Sequence, residues 1–380
     1  MRMKNRRYIF RLLTFWLCFF FSCQVSFVYA GNSLNKVAFI RPSEKFPFWN
    51  QAEKALRKAA SDFEIELDVY TMDVDPYKFF QIAQEITESK NKPDLIIVST
   101  IGNIGVSLIQ MLDEAEIDVV VHFMGFSSQE HQKIGAPREK YKHWIASMLP
   151  DYHKTSQELA SYLYEKAKKE HILSYWKVNM CLIHGVEGIG FSEKSVEGVL
   201  SLRDQYDDLV INEILPGYWS AENAQKVAFG HLIQHPETNA IWVINDPAAV
   251  GVVKAVESHG LIAGKDILIG SMNWLPEIFD YIRDGRVSVS VGGHFMDPAW
   301  LLLLAYDYHN GHDFEPYIGT EIESVFRIID ADNIDIYGDI IGNSPWEKID
   351  FKQLSQTHNL DWAGYNFNLL DLLAPSSEKN

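Results

Sequence analysis

Amide, carboxylate, imidazole and aromatic side chains recur soon after short apolar runs of this sequence. Asn245 and Asp246 follow one such run, Asn273 and Trp274 follow another, and His294 follows a third. Small-molecule sites are lined mainly by apolar and aromatic side chains, with a few polar groups that fix the orientation of the ligand. The combination predicts a site that stacks rings on a small polar ligand and hydrogen-bonds its hydroxyl groups.

Some of these residues also have a purely structural explanation. Asp246 precedes Pro247, so Asp246 can cap the N-terminus of a helix in which Pro247 takes the first position. Phe48 and Trp49, in a loop that opens a helix, can either cover the core or form an aromatic wall for a ligand. We expect Asn245 to contact the ligand, and Asp246 to act as a cap first and as a ligand contact second.

Catalytic, cofactor and metal motifs are missing from the sequence. It contains neither the G-x-S-x-G turn of serine hydrolases nor the H-E-x-x-H helix of metalloproteases. Residues 260–266 lack the Ser or Thr of a P-loop, and the glycines in 185–190 have the wrong spacing for a dinucleotide fingerprint. His309 and His312 are better explained as a solvated helix end than as metal ligands. No catalytic residue, cofactor or metal ion is therefore expected.

Short strand-like runs alternate with helical patterns over the first part of the chain. In 49–63, for example, apolar residues recur at the spacing of a helix. Strands separated by helices form βαβ units, which imply parallel sheets. The predicted strands are 37–40, 67–70, 95–98 and 119–123, and the predicted helices are 49–63, 77–89 and 106–115.

The same alternation begins again further along. The predicted strands are 180–183, 210–215, 241–244, 267–269 and 287–291, and the predicted helices are 156–169, 193–205, 221–234, 248–258 and 275–284. An apolar helix 299–308, a strand-like run 325–329 and a segment 333–341 follow. This duplication predicts two α/β domains with a cleft between them. Ligands bind outside the carboxyl ends of parallel strands, so we expect strand-end residues to line the cleft.

The first thirty residues have the pattern of a secretory signal peptide. Five basic residues in 1–11 precede an apolar stretch at 12–21, and Val28 and Ala30 suit cleavage before Gly31. A retained anchor and a lipidated Cys23 are the alternatives, but the apolar stretch is short for a membrane span. The leader therefore predicts a periplasmic protein.

Acidic residues dominate the charge balance. The net charge is −17, and removal of the five basic residues of the leader would take it to −22. So acidic a chain is a poor candidate for nucleic-acid binding. Only Cys181 would remain after cleavage, in an apolar run typical of a core, so no intrachain disulfide is expected. We expect a monomer that is held together by its cores.

Several segments resemble the type I periplasmic binding proteins, the superfamily of ribose- and galactose-binding and lactose-repressor-like proteins. The resemblance covers roughly residues 37–341. It is carried by PFW at 47–49, IAS at 145–147, INDPAAVG at 244–251 and GSMNW at 270–274. It implies two Rossmann-like domains with parallel sheets, a hinge of three crossings, and a ligand cleft between the domains.

The resemblance also implies limits for the domains. The N-terminal lobe would comprise 31–140 and 295–320, and the C-terminal lobe 145–292 and 323–342. The crossings would fall near 127–147, 291–295 and 319–325. A tail, 343–380, is expected to wrap the outside, with partial disorder after Ser376.

The charged ligand clamps of ribose-type relatives have no counterpart here. Phe123 and Met124 stand where those relatives carry an Asp-Arg pair, and Asn273 stands in place of a carboxylate. The resemblance therefore implies the fold more strongly than the ligand. The expected ligand contacts are Phe48, Trp49, Phe123, Ser147, Glu187, Phe191, Asn245, Asp246, Asn273, Trp274 and His294.

The resemblance implies an exported solute-binding protein that closes on a sugar or sugar-like molecule and delivers it to an ABC-type transporter permease. A ligand that contacts both domains favours the closed form, which a membrane partner then recognises. A membrane sensor kinase or cyclase is the alternative partner, as for autoinducer-binding relatives. An enzyme is the alternative of another class, and its acid or base would have to be Glu187, Asp246 or His294.

Overall fold

Two six-stranded sheets organise the part of the chain that the structure, a computed structural model, describes. This part comprises residues 33–100 and 104–374. The predicted leader 1–30 and the chain end after Ser376 lie outside it. The two sheets and their helices confirm the predicted architecture of two α/β domains with mostly parallel strands.

The strands of the first sheet are all parallel to one another. They are β1 (Lys36–Arg41), β2 (Glu66–Thr71), β3 (Leu95–Val98), β4 (Asp118–His122), β5 (Trp144–Leu149) and β11 (Glu321–Glu323). In space they follow the order β11-β5-β4-β3-β1-β2. The helices that connect them are α1 (Pro47–Asp62), α2 (Pro76–Glu88), α3 (Gly105–Glu114) and α4 (Ser128–Ile134).

The second sheet has the same design with one reversed strand. Its strands are β6 (Val178–His184), β7 (Leu209–Pro216), β8 (Ala240–Val243), β9 (Leu268–Asn273), β10 (Val289–Gly292) and β12 (Arg327–Asp330). The order is β12-β10-β9-β8-β6-β7, with only β12 antiparallel to its neighbour. Its helices are α5 (Tyr152–Lys169), α6 (Gly190–Leu200), α7 (Ala221–Gln234), α8 (Asp246–Ser258), α9 (Pro276–Arg283) and α12 (Ile334–Gly342).

We call the first sheet and its helices the first lobe, and the second sheet and its helices the second lobe. The first lobe also contains α10 (Asp297–His309) and α11 (Glu315–Ile318), which lie between β10 and β11 in the chain. The chain therefore passes between the lobes after β5, after β10 and after β11.

The first passage lies later than the sequence predicts. Because β5 pairs with β4 and β11, it belongs to the first sheet, and the chain leaves the first lobe only at Pro150 and Asp151. The predicted crossing 127–147 and the predicted domain limit at residue 145 are therefore wrong. The sequence pattern missed this unit because α4 has only seven residues, too few to show a helical period. The first lobe also extends past residue 320, to include β11.

Helix α10 is buried on nearly all sides. Trp300 and the four leucines after it are at most 1% exposed. A helix that is apolar all round must be covered on every side. The first sheet and α1 cover part of it. Residues 343–374, which we call the tail, add further cover, since the Trp300 ring lies 5.5 Å from Phe351 and 5.8 Å from Phe367. No helix in the described ranges has the length and apolarity that a membrane span needs.

The tail contains two short helices, α13 (Phe351–Leu354) and α14 (Leu369–Leu373), and is fastened to α10 by one buried carboxylate. Asp307 accepts hydrogen bonds from Ser355 Oγ at 2.5 Å, Gln356 N at 2.9 Å and Tyr365 Oη at 3.0 Å. Both the backbone N and the Oγ1 of Thr357 also donate to it, at 3.0 Å and 2.7 Å. A buried carboxylate is tolerated when donors surround it in this way.

We predict that Asp307→Asn loosens the tail. The amide group places a donor among groups that all donate, so at least one of them loses its acceptor, at a cost of about 3 kcal/mol in unfolding free energy. Urea unfolding measures this cost, and limited proteolysis should release the tail sooner. The control is Asp371→Asn on the exposed side of α14. Equal stability of the two variants would contradict the role of Asp307.

Candidate functional site

Ring side chains from both lobes meet where the carboxyl ends of the two sets of strands face each other. Neighbouring ring centroids lie 4.4 to 5.9 Å apart, so the rings form one connected group. We call this group the aromatic cluster. Its members are Phe48, Trp49, His122, Phe123, Tyr152, Phe191, Trp219, His294 and Phe326.

Phe123 connects the two lobes. Its ring centroid lies 5.1 Å from Phe48 and 4.7 Å from Trp49, both in the first lobe. It also lies 5.9 Å from Tyr152 and 5.7 Å from Phe191, both in the second lobe. The lobes are therefore in direct contact through these rings.

Local backbone structure positions the rings of the first lobe. Helix α1 begins at Pro47, so Phe48 and Trp49 lie in its first turn and not in the predicted loop. Phe123 follows β4 with a φ of 61°, a left-handed conformation that costs a non-glycine residue about 1 kcal/mol. The next residue, Met124, donates its backbone N–H to Ser99 Oγ at 3.3 Å, which holds the turn against the end of β3.

Four buried polar atoms at the cluster have no hydrogen-bond partner among the described residues. They are Gln51 Oε1, His122 Nε2, Tyr152 Oη and His294 Nδ1. Gln51 lies on α1 beside Trp49, and the other three belong to rings of the cluster. Because an unpaired buried polar group costs about 1–3 kcal/mol, proteins keep few of them without a reason. Their convergence indicates a site for a polar ligand.

Burial keeps the two histidines of the cluster neutral. It lowers the pKa of His122 to about 3, and it lowers that of His294 to about 3 with a contribution from nearby His122. Burial also raises the pKa of the Tyr152 hydroxyl, and the Asp297 carboxyl raises it further. The rings therefore carry no formal charge near neutral pH, and each histidine offers one donor and one acceptor nitrogen.

Asp246 is fully buried and joins the ends of three strands. It follows β8, and it accepts hydrogen bonds from Ser271 Oγ in β9 at 2.5 Å and Ser290 Oγ in β10 at 2.9 Å. The Leu275 backbone N–H donates to its other oxygen at 2.8 Å. Burial raises the pKa of Asp246 to about 7, although these three hydrogen bonds act in the opposite direction. Both carboxylate oxygens are thus occupied by groups of the protein.

Asn245, and not Asp246, caps helix α8. Its side-chain oxygen accepts a hydrogen bond from Ala248 N at 3.0 Å, and its amide donates to the Trp219 carbonyl at 3.4 Å. The predicted capping role of Asp246 is therefore wrong, because the helix begins one residue earlier than the position of Pro247 suggested. A ligand contact by Asn245 stays a prediction.

Contacts within the second lobe hold Asn273, the last residue of β9, and Trp274, which follows it. Trp274 is fully buried, donates its ring N–H to the Ser290 carbonyl at 2.9 Å, and packs so closely on Gly292 that a Cβ there would lie 2.4 Å from its ring. Its backbone carbonyl reaches the first lobe, where it accepts a hydrogen bond from Gln51 Nε2 at 3.4 Å. Asn273 has a φ of 118° and pairs with Gly292 at the end of β10.

Ser147 and Glu187 lie apart from the aromatic cluster. Ser147 belongs to β5, and its hydroxyl accepts a hydrogen bond from the Trp144 ring N–H at 3.2 Å. Glu187 is exposed in the loop before α6, close enough to His184 to act on its pKa, which burial lowers and Glu187 raises. The structure thus brings together five of the predicted contacts: Phe48, Trp49, Phe123, Phe191 and His294.

Other members of the site were missed by sequence reasoning. Tyr152 and Trp219 lie three residues after the ends of β5 and β7, so the rule that strand ends line the cleft would have found them once those strand ends were known. Phe326 lies on the third crossing. Gln51 gave no signal, since a glutamine within a helix is ordinarily exposed.

The alternative of an enzyme has no support in the geometry of its candidates. In the described part of the chain, no hydrogen bond joins any two of Glu187, Asp246 and His294. The sequence also offered His309 and His312 as a less favoured pair of metal ligands. His309 lies 3.0 Å from Asp118, which also pairs with His143 at 2.7 Å, so His309 has a partner other than His312.

The fold and the strand-end cleft define a periplasmic binding protein. The family model of the periplasmic binding protein domain matches residues 37–302, and the chain belongs to this family. The galactofuranose-binding protein YtfQ of Escherichia coli is 29% identical over 107 residues, which are 27% of this chain. That match spans only 30% of the length of this curated relative.

Two solved structures have the same fold. A periplasmic sugar-binding protein from Pseudomonas fluorescens has a TM-score of 0.79 and 21% identity, over 90% of this chain and 100% of the other. A solute-binding protein of an ABC transporter from Actinobacillus succinogenes, with bound D-allose, has a TM-score of 0.70 and 20% identity, over 80% of this chain and 100% of the other.

We predict that Asp246→Ala destabilises the protein more than Asn245→Ala. The first change leaves two serine hydroxyls and the Leu275 N–H without their acceptor, at a cost of about 3 kcal/mol. The second removes a helix cap, at a cost of about 1 kcal/mol. Urea unfolding at neutral pH measures the loss of unfolding free energy in each variant. Asp246→Asn keeps one acceptor oxygen, so its loss should lie between those of Asp246→Ala and Asn245→Ala. The reverse order would show that Asp246 does not join the strands as described.

The buried histidines predict a loss of stability in acid. The pKa of His294 is lower in the folded chain than its ordinary value of 6.5, so unfolding takes up a proton between pH 6.5 and about 3, and stability falls as the pH falls through this range. His294→Asn should make this dependence shallower by up to about 1.4 kcal/mol per pH unit.

Urea midpoints between pH 4 and 7 measure the slope for each protein. The raised pKa of Asp246 works in the opposite direction, but it is common to the variant and the parent and cancels in their difference. Exposed His171→Asn is the control. A slope in His294→Asn equal to that of the parent would show that His294 is not buried in neutral form.

Proposed function

We propose that this protein binds a neutral sugar or sugar-like ligand between its lobes, in the periplasm, and delivers it to an ABC-type membrane permease. One observation carries the proposal: four unpaired polar atoms, of Gln51, His122, Tyr152 and His294, converge on a cluster of aromatic rings. Hydroxyl groups of a sugar can donate to Gln51 Oε1 and can donate to or accept from the other three, and the C–H faces of a sugar suit the rings.

The charge of the site favours a neutral ligand. The rings are uncharged near neutral pH, and the two buried carboxylates nearby already accept hydrogen bonds within the protein. Asp246 takes three donors, and Asp297 accepts from Ser324 Oγ at 2.6 Å. A charged ligand would need a partner of opposite charge to offset its loss of water. Neither charged clamps nor free carboxylates supply one in the aromatic cluster.

A bound ligand would take the place of contacts that the rings of the two lobes make with each other. Phe123 of the first lobe touches Tyr152 and Phe191 of the second, so these contacts already support the closed arrangement without a ligand. A ligand that hydrogen-bonds Gln51 and His122 on one side and Tyr152 on the other adds affinity that the open form lacks. This difference in affinity shifts the population towards closure.

The relatives support a sugar as the ligand class. One relative is a galactofuranose-binding protein and another holds bound D-allose, and both of these ligands are sugars. The leader-like residues 1–30 support export. A membrane sensor kinase or cyclase is the second candidate partner, favoured by the absence of the charged clamps that ribose-type transport relatives carry.

We predict that Tyr152→Phe weakens ligand binding about 10- to 100-fold. The change removes one hydroxyl that would otherwise pair with the ligand, and the ring contacts with Phe123 and Phe191 remain. Native mass spectrometry of protein from its own host identifies a retained ligand, or a thermal-shift screen of sugars and polyols finds one. Isothermal titration then compares the affinities.

The matched control is Tyr175→Phe, since Tyr175 is 84% exposed on the second lobe. It should bind as the parent does. Unchanged affinity in Tyr152→Phe would remove the cluster from the ligand site, and a screen in which only charged compounds bind would overturn the neutral-ligand proposal.

A further inference from the structure

Two histidines and a glutamate meet on the second lobe, far from the cleft. His231 and His235 lie one turn apart, His231 in α7 and His235 at its C-terminal cap, and Glu213 lies on the edge strand β7. Helix α7 begins near Trp219, at the cleft, and runs away from it for 14 residues, which is roughly 20 Å. This group therefore belongs to a different place in the fold from the aromatic cluster.

The three side chains are close enough to share one ion. One nitrogen of each histidine and one oxygen of Glu213 all lie within 4.8 Å of one another. His231 Nδ1 is 2.7 Å from Glu213 Oε2, and the two imidazole rings stack with centroids 4.8 Å apart. Side-chain movements of up to about 1 Å would bring these atoms to about 2.0–2.2 Å from a common centre, which is the usual distance between a zinc ion and its nitrogen or oxygen ligands.

A fourth ligand is at hand. Glu237 Oε1 lies 3.1 Å from His235 Nδ1, so a second carboxylate borders the group. The set would then consist of two imidazoles and two carboxylates, which is a donor set suited to tetrahedral zinc.

Hydrogen bonds at both ring nitrogens hold the His231 ring in place. His231 Nε2 lies 2.9 Å from Thr238 Oγ1, and Asn212 Nδ2 donates to the same oxygen at 3.0 Å. The 2.7 Å contact with the Glu213 carboxylate places a proton on His231 Nδ1. A bound ion would replace that proton, and Nε2–H would then donate to Thr238 Oγ1. Outer hydrogen bonds of this kind orient histidine ligands in metal sites.

We propose that Glu213, His231 and His235, with Glu237 as the fourth ligand, bind a divalent transition-metal ion, and that Zn²⁺ fits them best. Imidazole nitrogens together with carboxylates favour zinc and its neighbours over calcium and magnesium, which prefer oxygen ligands alone. The His231 side chain is fully buried, whereas Glu213, His235 and Glu237 are about one-third exposed, so an ion can enter from solvent.

Metal binding here would stabilise the second lobe. The ligands join the edge strand β7 to the end of α7, two elements that are otherwise held by packing and hydrogen bonds. Because the site exists only in the folded chain, each bound ion adds stability that grows with its free concentration. The ion would have a structural role, and it would act without any contact with the cleft.

The test uses the full secreted chain without a polyhistidine tag. Zn²⁺ is titrated by calorimetry, with a thermal unfolding scan in parallel. We expect one equivalent of Zn²⁺ to bind and to raise the melting temperature, and EDTA to reverse the rise. His235→Ala and Glu213→Gln should each weaken binding at least tenfold and abolish the rise.

His259→Ala is the matched control, because His259 caps the C-terminus of α8 as His235 caps that of α7. It should bind zinc as the parent does. A parent protein that binds no stoichiometric Zn²⁺ would overturn the proposal and leave the group as a hydrogen-bond network. Binding of equal strength in His235→Ala and Glu213→Gln would overturn it too, because the zinc would then lie elsewhere.

Discussion

Parallel strands end at the same edge of a sheet, and the rest of this structure depends on that constraint. Two parallel sheets with three passages between them set the carboxyl ends of eleven strands around a single cleft. Side chains in the segments that follow the strands are therefore brought together although they are far apart in the chain, as Phe123 and Phe191 are. The aromatic cluster is the direct product of this geometry, and its buried, neutral histidines follow from the desolvation that the rings impose.

Two buried carboxylates hold the frame in which the cluster sits. Asp246 joins the ends of β8, β9 and β10 through two serines and one backbone N–H, and Asp307 fastens the tail over α10. In both cases the buried carboxyl group is tolerated because several donors surround it, so the interaction is strong only while the whole set is intact. In the aromatic cluster, by contrast, Tyr152 and His294 carry polar atoms that have no hydrogen-bond partner among the described residues.

Much of the site could be predicted from the sequence, and the failures have physical causes. Phe48, Phe123 and His294 were found because strand ends are recognisable from apolar runs. The cap of α8 was assigned to Asp246 and belongs to Asn245, since either residue suits a helix cap and only the backbone conformation decides which one takes it. Ser147 was placed in the wrong lobe because the strand that carries it follows a helix too short to be recognised.

The sequence by itself determined the fold class, the family and the absence of the charged clamps of ribose-type relatives, because these depend on local periodicity and residue type. Only the tertiary structure decided which side chains meet: Gln51 with the Trp274 carbonyl, Phe123 with Tyr152, and Glu213 with His231. Such pairs join elements whose separation in the chain carries no information about their distance in space. Burial and hydrogen-bond partners, and with them the pKa values and the functions of these residues, exist only once the sheets have formed and packed.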